Sequence, residues 1–444
     1  MAAVVSGVVM TSGAATLWGA TAARAGGRSP GGAAGRLQIL YTAPVLVRAG
    51  ERVLLPVDAV CVTARGIACP ARVSMRAAAG LGSYRAASAA ASPGLRFDLS
   101  APAADATAGG THSGFVRFSI EAAGGGASAS LPSESDDSPL TFYVSASIPT
   151  ARVPSVPFGR MRRGRAVLSL PWGTGADRAG IALGGGEAPS GPSSFDVDGS
   201  GRVFLLDNEQ SRLGEFARGT LVRSTSLSLP PRSDVSVSPR GAAFVLSRDR
   251  GDRLRVTPVG PGGATGSVLP AGSGIPGAIR AIGGGAYVHV FPLDAWRLVS
   301  PPGAGPEAAR LQVGEPLAGD RQLLSVVRGR SVRLATVLDG RVRDPVEVDF
   351  RAALGELALA APDGAGGYWL IVHVWRGGRH PADAFQAVRV DGSRVVATFL
   401  LPGRSFTAGS PQSMFRIAPD GALYQLMTTR AGARVVRYRI GGES

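Results

Sequence analysis

From Ala166 onward the chain is written in short apolar runs separated by Asp/Gly corners. Val235-Ser236-Val237 leads into Ser238-Pro239-Arg240-Gly241, and Ala243-Phe244-Val245-Leu246 leads out. Phe415-Arg416-Ile417, Pro419-Asp420-Gly421-Ala422 and Leu423-Tyr424-Gln425-Leu426 repeat the scheme near the end. Further corners are Asp198-Gly199-Ser200-Gly201, Gly283-Gly284-Gly285, Arg328-Gly329-Arg330 and Pro362-Asp363-Gly364-Ala365. Asp-Gly and Gly-Gly supply the positive φ that tight hairpin turns require. The corners recur at roughly 40-residue intervals, the length of a four-stranded propeller blade. They predict about six blades within residues 166–441. The apolar strand Ala166–Leu170 precedes the first full blade and is expected to pair with the last, because an open ring leaves two sheet edges free.

The first part of the chain carries a different pattern. Apolar runs at Leu37–Thr42, Arg52–Val62, Ala71–Arg76, Leu95–Leu99, Phe115–Ala122 and Leu140–Ala146 are separated by Gly, Ser, Pro and Ala clusters. Short strands at this density predict a small β-sandwich over 37–148. The fold class expected is therefore all-β, an N-terminal sandwich followed by a six-bladed propeller. Residues 26–36 read as a linker, and 149–165 as a second, Arg-rich one containing Arg160, Arg162, Arg163 and Arg165. Residues 1–25 resemble a secretory signal peptide, with small apolar residues followed by Ala23-Arg24-Ala25, although no Arg or Lys precedes the apolar run. That places the mature chain outside the cytoplasm, secreted or associated with the cell envelope, with no spanning segment expected in it.

Two family resemblances follow from particular residues. Val73-Ser74-Met75-Arg76, Phe115–Ala122 and Leu131-Pro132 resemble an immunoglobulin-like or fibronectin-type-III-like module, with Met75 and Phe118 where aromatics recur in such modules. Asp207-Asn208-Glu209-Gln210-Ser211-Arg212-Leu213-Gly214-Glu215-Phe216 resembles the turn of an NHL repeat, with Gln210 where the family has Asn. Weaker copies are Arg253-Leu254-Arg255-Val256 and Arg434-Val435-Val436-Arg437-Tyr438. The NHL resemblance implies a propeller that presents one face to a protein or carbohydrate ligand.

Composition narrows this picture. The formal net charge is +15, and every positive side chain is Arg, because the sequence contains no Lys. The arginines are spread along the strands, which argues against a nucleic-acid partner and leaves an anionic envelope polymer as a further candidate. The two cysteines, Cys61 and Cys69, flank Gly66 in an expected hairpin and are read as a disulfide in an exported chain.

Candidate chemistry is sparse. Asp196, Asp198, Ser200 and Asp207 fit the oxygen-ligand spacing of an EF-hand loop, a weak Ca2+ candidate whose favoured reading is a blade hairpin turn. No cofactor is otherwise expected. His289 and His373 sit inside strand runs in different blades, and a lyase or hydrolase would need both in the central channel beside a carboxylate. His112 and His380 fall in loops, and Trp296, Tyr368, Trp369 and Trp375 read as blade core. Residues 173–191 form a long loop expected over one mouth of the channel. The favoured reading is a non-enzymatic binding or scaffold protein, with the propeller enzyme as the alternative.

Overall fold

The structure is a computed structural model. It describes the strands named below and most segments joining them after residue 140; residues 1–35, 63–71, 78–84, 87–95, 101–113, 132–140, 156–160, 184–188, 301–310, 377–381, 408–412, 440–444 and shorter loop stretches lie outside the described residues. Among the described residues every regular element is a strand.

Ten strands come first. They are β1 (Arg36–Thr42), β2 (Val45–Arg48), β3 (Arg52–Val62), β4 (Arg72–Ala77), β5 (Arg85–Ala86), β6 (Arg96–Ser100), β7 (Gly114–Phe115), β8 (Phe118–Ala123), β9 (Ser128–Leu131) and β10 (Thr141–Ser145). They pair in the orders β1-β3-β6-β5, β4-β8-β9 and β2-β10-β7. The short strands β2, β5 and β9 are additions to the expected set. Cys61 lies in β3, but its side chain, Cys69 and His112 fall outside the described residues, so the expected disulfide does too.

Two strands then lead into the propeller, β11 (Thr150–Arg152) and β12 (Arg165–Pro171). Blade 1 comprises β13 (Ser194–Val197), β14 (Val203–Asp207), β15 (Arg212–Ala217) and β16 (Thr220–Ser226). Blade 2 comprises β17 (Asp234–Val237), β18 (Ala243–Arg248), β19 (Arg253–Val259) and β20 (Leu269–Ser273). Blade 3 comprises β21 (Ile275–Ile282), β22 (Gly285–Phe291), β23 (Ala295–Ser300) and β24 (Leu311–Val313). Blade 4 comprises β25 (Glu315–Leu317), β26 (Arg321–Arg328), β27 (Ser331–Leu338) and β28 (Arg341–Asp349). Blade 5 comprises β29 (Leu357–Pro362), β30 (Tyr368–Arg376), β31 (Ala382–Asp391) and β32 (Arg394–Pro402). Blade 6 takes β33 (Phe415–Ile417), β34 (Leu423–Thr429) and β35 (Gly432–Tyr438), with β12 as its outermost strand.

The ring closes as the pattern predicts. β12 runs antiparallel to β35, from Arg165 opposite Arg437 to Pro171 opposite Gly432. First strands of successive blades neighbour one another from β13 through β17 and β21 to β25, and from β29 through β33 back to β13; β26 meets β29 between blades 4 and 5. Five of the six corners join the first and second strands of their blades. The exception is Arg328-Gly329-Arg330, which joins the second and third strands of blade 4. The first corner of that blade is Ala318-Gly319-Asp320. β25 is only three residues long, so no apolar run precedes that corner in the sequence.

Apolar side chains fill the spaces between blades. Phe195, Val197, Leu205 and Phe216 of blade 1 meet Leu168, Leu170, Leu426 and Val435 of blade 6. Phe204 and Leu206 meet Val235 and Val245 across the next interface. Trp369, Ile371 and Phe385 meet Phe415, Leu423 and Tyr438 between blades 5 and 6. Burying one such Leu or Phe is worth about 1.5–3 kcal/mol, so these interfaces bind the sheets laterally. Trp296, Tyr368 and Trp369 are buried, as their core reading requires.

Blade 4 also receives the segments that precede the ring. β11 adds a parallel fifth strand to the outer edge of β28, covering it. Leu46, Tyr143 and Ile148 pack on Leu324, Ala335 and Val337. Glu51 accepts hydrogen bonds from Arg328 and from both terminal nitrogens of buried Arg333, two of them at 2.6 Å. Partial burial alone would raise the Glu51 carboxyl, but Arg333, the Arg48 N–H and Arg328 together hold it at about 2, down from 4.5.

Two outcomes follow. A Cβ on Gly432, at φ +151°, would lie 2.0 Å from the Leu170 carbonyl oxygen. Gly432→Ala is therefore expected to lose at least about 2 kcal/mol in denaturant unfolding and to favour oligomers in size-exclusion chromatography. Gly262→Ala, which meets nothing within 4 Å, should be nearly neutral. Because the folded Glu51 pKa lies below its unfolded value, its contribution is present above pH 4.5 and lost as pH falls toward about 2. Thermal melts should show the gap between wild type and Glu51→Gln full at neutral pH and closing across that window.

Candidate functional site

The innermost strands of blades 1 and 2 alternate strictly. Phe195 and Val197 face the core shared with blade 6, which turns Ser194 and Asp196 toward blade 2. Val235 and Val237 face blade 1, which turns Asp234 and Ser236 toward blade 3. These short polar side chains stitch each blade to the next. The Val237 N–H donates to Asp196 Oδ2 at 2.7 Å and the Val235 N–H to Ser194 Oγ at 3.4 Å. One blade on, the Ile279 N–H donates to Asp234 Oδ2 and the Ala281 N–H to Ser236 Oγ, each at 3.0 Å. The Ser194 and Ser236 hydroxyls donate in turn to Asp234 and Asp196. Innermost strands have one edge without a strand partner, and these side chains satisfy its buried N–H groups.

Arginines complete the ring. Arg416, from the innermost strand of blade 6, donates to Asp234 Oδ1 and to the Val235 carbonyl, both at 2.9 Å. Its Nε lies 3.7 Å from Asp196 Oδ1 and donates no hydrogen bond. Arg280 of blade 3 pairs with Glu315 of blade 4 and stacks on Trp296 at 5.6 Å. Burial raises the Asp196 pKa, with Arg416 and the Val237 and Val197 N–H groups opposing it. Burial works against the Arg280 charge, but Glu315, Asp234 and Asp196 outweigh it and raise its pKa. Five blades are thus tied by one network of two guanidiniums and three carboxylates.

The sequence candidates separate in space. Asp198 caps its own hairpin, accepting from the N–H groups of Ser200 and Arg202, the Ser200 hydroxyl and the Arg202 guanidinium. Asp207 accepts from the Gly180 and Gln210 N–H groups and lies 3.6 Å from Arg212. Asp196 turns to blade 2, so the four EF-hand-spaced residues are not brought together. Among the described residues no cluster of three or more His, Cys, Asp or Glu could hold a metal ion. His289 and His373 lie on second strands, β22 and β30, rather than on the innermost strands. Their rings rest against Trp296 at 5.0 Å and Phe385 at 5.2 Å, and blade 4 stands between them. His380 is outside the described residues.

The NHL-like turn positions the loop ahead of β13. Gln210 donates to the Gly173 and Arg178 carbonyls and accepts from the Gly175 N–H. Arg212 reaches the Arg178 carbonyl, Ser190 donates to Glu209, and the Trp172 indole donates to the Thr429 carbonyl. The described parts of this loop are therefore pinned to blades 1 and 6.

A surface groove of about 340 Å³ opens between the outer parts of blades 1 and 2. Ser226, Ser228, Ser247, Thr257 and Thr265 line it, with the Asp249–Arg255 ion pair at one side and half-exposed Val268 at its rim. It lies at the end of β18, the same end of the blades as the pinned loop. Sequence reasoning missed it because its lining comes from three strands and the connectors beside them, with no shared motif.

Ring closure and six sheets define a six-bladed β-propeller. No protein-family model matches the chain, and no curated protein matches it. Among solved structures, a structural-genomics protein of Bacteroides thetaiotaomicron is similar with TM-score 0.37 and 11% identity, over 90% of this chain and 98% of that one. A Bacteroides caccae protein gives TM-score 0.32 and 16% identity over 47% of this chain and 81% of that one. Virginiamycin B lyase of Staphylococcus aureus gives TM-score 0.30 and 9% identity over 59% of this chain and 87% of that one.

Asp234 is fully buried and serves Arg416, Ser194 and the Ile279 N–H at once. Asp234→Ala is expected to cost about 3–5 kcal/mol in denaturant unfolding, because it strands a buried guanidinium. Exposed Asp391→Ala, whose partner Arg394 lies 4.0 Å away on the surface, should cost less than about 1 kcal/mol.

Proposed function

We propose that this chain is a secreted, non-enzymatic binding or scaffold protein with an NHL-like propeller and an immunoglobulin-like sandwich ahead of it. One propeller face takes a glycan or protein ligand. One observation carries the reading: the innermost charged groups are spent on one another and on backbone N–H groups of the next blade. A channel assembled this way supports the ring, and recognition falls to the outer surface. The groove between blades 1 and 2 offers hydroxyls, one ion pair and a small apolar rim, a combination suited to a neutral oligosaccharide. The three N-terminal sheets support the sandwich assignment through their strand density. The NHL assignment rests on the turn Asp207–Phe216 and its grip on the loop before β13.

A panel of defined neutral oligosaccharides tests this reading by calorimetry. Thr257→Trp, which fills the groove, and Arg255→Ala are expected to weaken any ligand found by about tenfold or more. Equal binding by both variants would remove the groove from the site. Turnover of a bound sugar would overturn the non-enzymatic reading and restore the lyase or hydrolase alternative on His289 and His373.

A further inference from the structure

The rim of blade 6 concentrates like charge in a way the fold does not require. Arg165, at the start of β12, stands directly opposite Arg437 of β35. Like charges in register across an exposed strand pair are destabilising, and most sheets place an acid or a neutral residue at one of the two positions. Arg162, Arg163 and Arg439 flank this pair, and all three are exposed. The segment carrying them is held in place rather than loose. Met161 bridges to Leu400, the Arg162 N–H donates to the Leu400 carbonyl at 2.7 Å, and the Arg162 guanidinium reaches the Arg439 carbonyl and the face of Phe399. The single acid paired with this group is Asp420, which engages Arg437. Arg162, Arg163, Arg165 and Arg439 stand in no ion pair among the described residues. On two other corners acids neutralise the arginines: Asp198 and Glu215 hold Arg202, and Asp363 holds Arg389. At the same end of blade 4, Arg321, Arg341 and Arg343 are also exposed and in no ion pair, but there each faces a neutral residue across its strand pair, whereas among the described strand pairs Arg165 and Arg437 of blade 6 set one arginine against another.

We propose that the blade 6 rim is a docking surface for a linear phosphate-bearing polymer. The argument is charge complementarity with a fixed geometry. Guanidinium forks engage phosphate oxygens bidentately, and the pinned segment together with the β12–β35 pairing gathers Arg162, Arg163, Arg165 and Arg439 on one rim. The site is independent of the groove between blades 1 and 2, and either can fail without the other.

The test uses the full chain and inorganic polyphosphate as probe. Wild type is expected to bind it, with affinity falling about 50-fold between roughly 50 and 200 mM salt if about four phosphates are contacted. Arg162→Gln with Arg163→Gln and Arg165→Gln should weaken binding at least about tenfold. A control triple, Arg341→Gln with Arg343→Gln and Arg351→Gln, removes the same charge from exposed positions on and beside blade 4 and should leave binding within about twofold. The single variant Arg165→Gln should raise the thermal midpoint by relieving the opposition to Arg437, which a purely structural role would not do. Equal loss in both triples, no loss in the rim triple, or no binding by wild type would overturn the proposal. Tighter binding to single-stranded DNA than to polyphosphate would overturn it in favour of a nucleic-acid partner.

Discussion

Each innermost strand has one edge with no neighbouring strand, and the donors on that edge must be satisfied inside the ring. Here short polar side chains of the preceding blade meet that demand. Ser194 and Asp196 accept from β17, and Asp234 and Ser236 accept from β21. Each side chain can reach only because its neighbours in the strand, Phe195, Val197, Val235 and Val237, are committed to the apolar interface on the other side. Hydrophobic packing fixes which way the strand faces, and the polar stitch fixes its height relative to the next blade. Register and rotation of successive sheets are thus set by one alternation.

Charge enters because the stitch uses carboxylates. A buried Asp costs several kcal/mol unless paired, and Arg416 and Arg280 supply the pairing from blades 6 and 3. Arg416 reaches past blade 1 to blade 2, so it spans the junction where the β12–β35 closure joins the first blade to the last. The same guanidinium therefore reinforces the joint at which the first and last blades meet. The described part of the loop 172–193 around Arg178 is held by Gln210 and Arg212.

Local chemistry made the fold legible and left the ring obscure. Asp/Gly corners encode hairpins within four residues, so five blades could be placed from sequence, and the closing strand followed from the need to cover edges. Blade 4 was misread because a three-residue β25 leaves no apolar run before Gly319, while the longer strands around Gly329 supply one. Asp196 and Asp198 stood out in the sequence for a shared spacing, yet alternation sends one into the ring and the other to its own turn. Asp234 and Arg416 are separated by 182 positions, and no periodicity links them. The arginines of 149–165 read as a linker by composition. Arg152 and Arg165 nevertheless lie in strands, through pairing with Asp349 at one end and Arg437 at the other, which only the folded chain supplies.

These arrangements bear on where function can evolve in the molecule. A residue of the ring cannot be traded for catalysis without exposing a buried N–H or orphaning a guanidinium, and either change costs a large share of the 5–15 kcal/mol that holds a typical domain. Outer surfaces carry no such constraint. Ser226, Thr257 and Thr265 line a groove without being needed by any interface core, and Arg165 faces solvent at the start of a closing strand whose apolar residues, Leu168 and Leu170, do the packing. Physical cost therefore separates the molecule into an interior ring that holds register and an exterior free to specialise toward ligands.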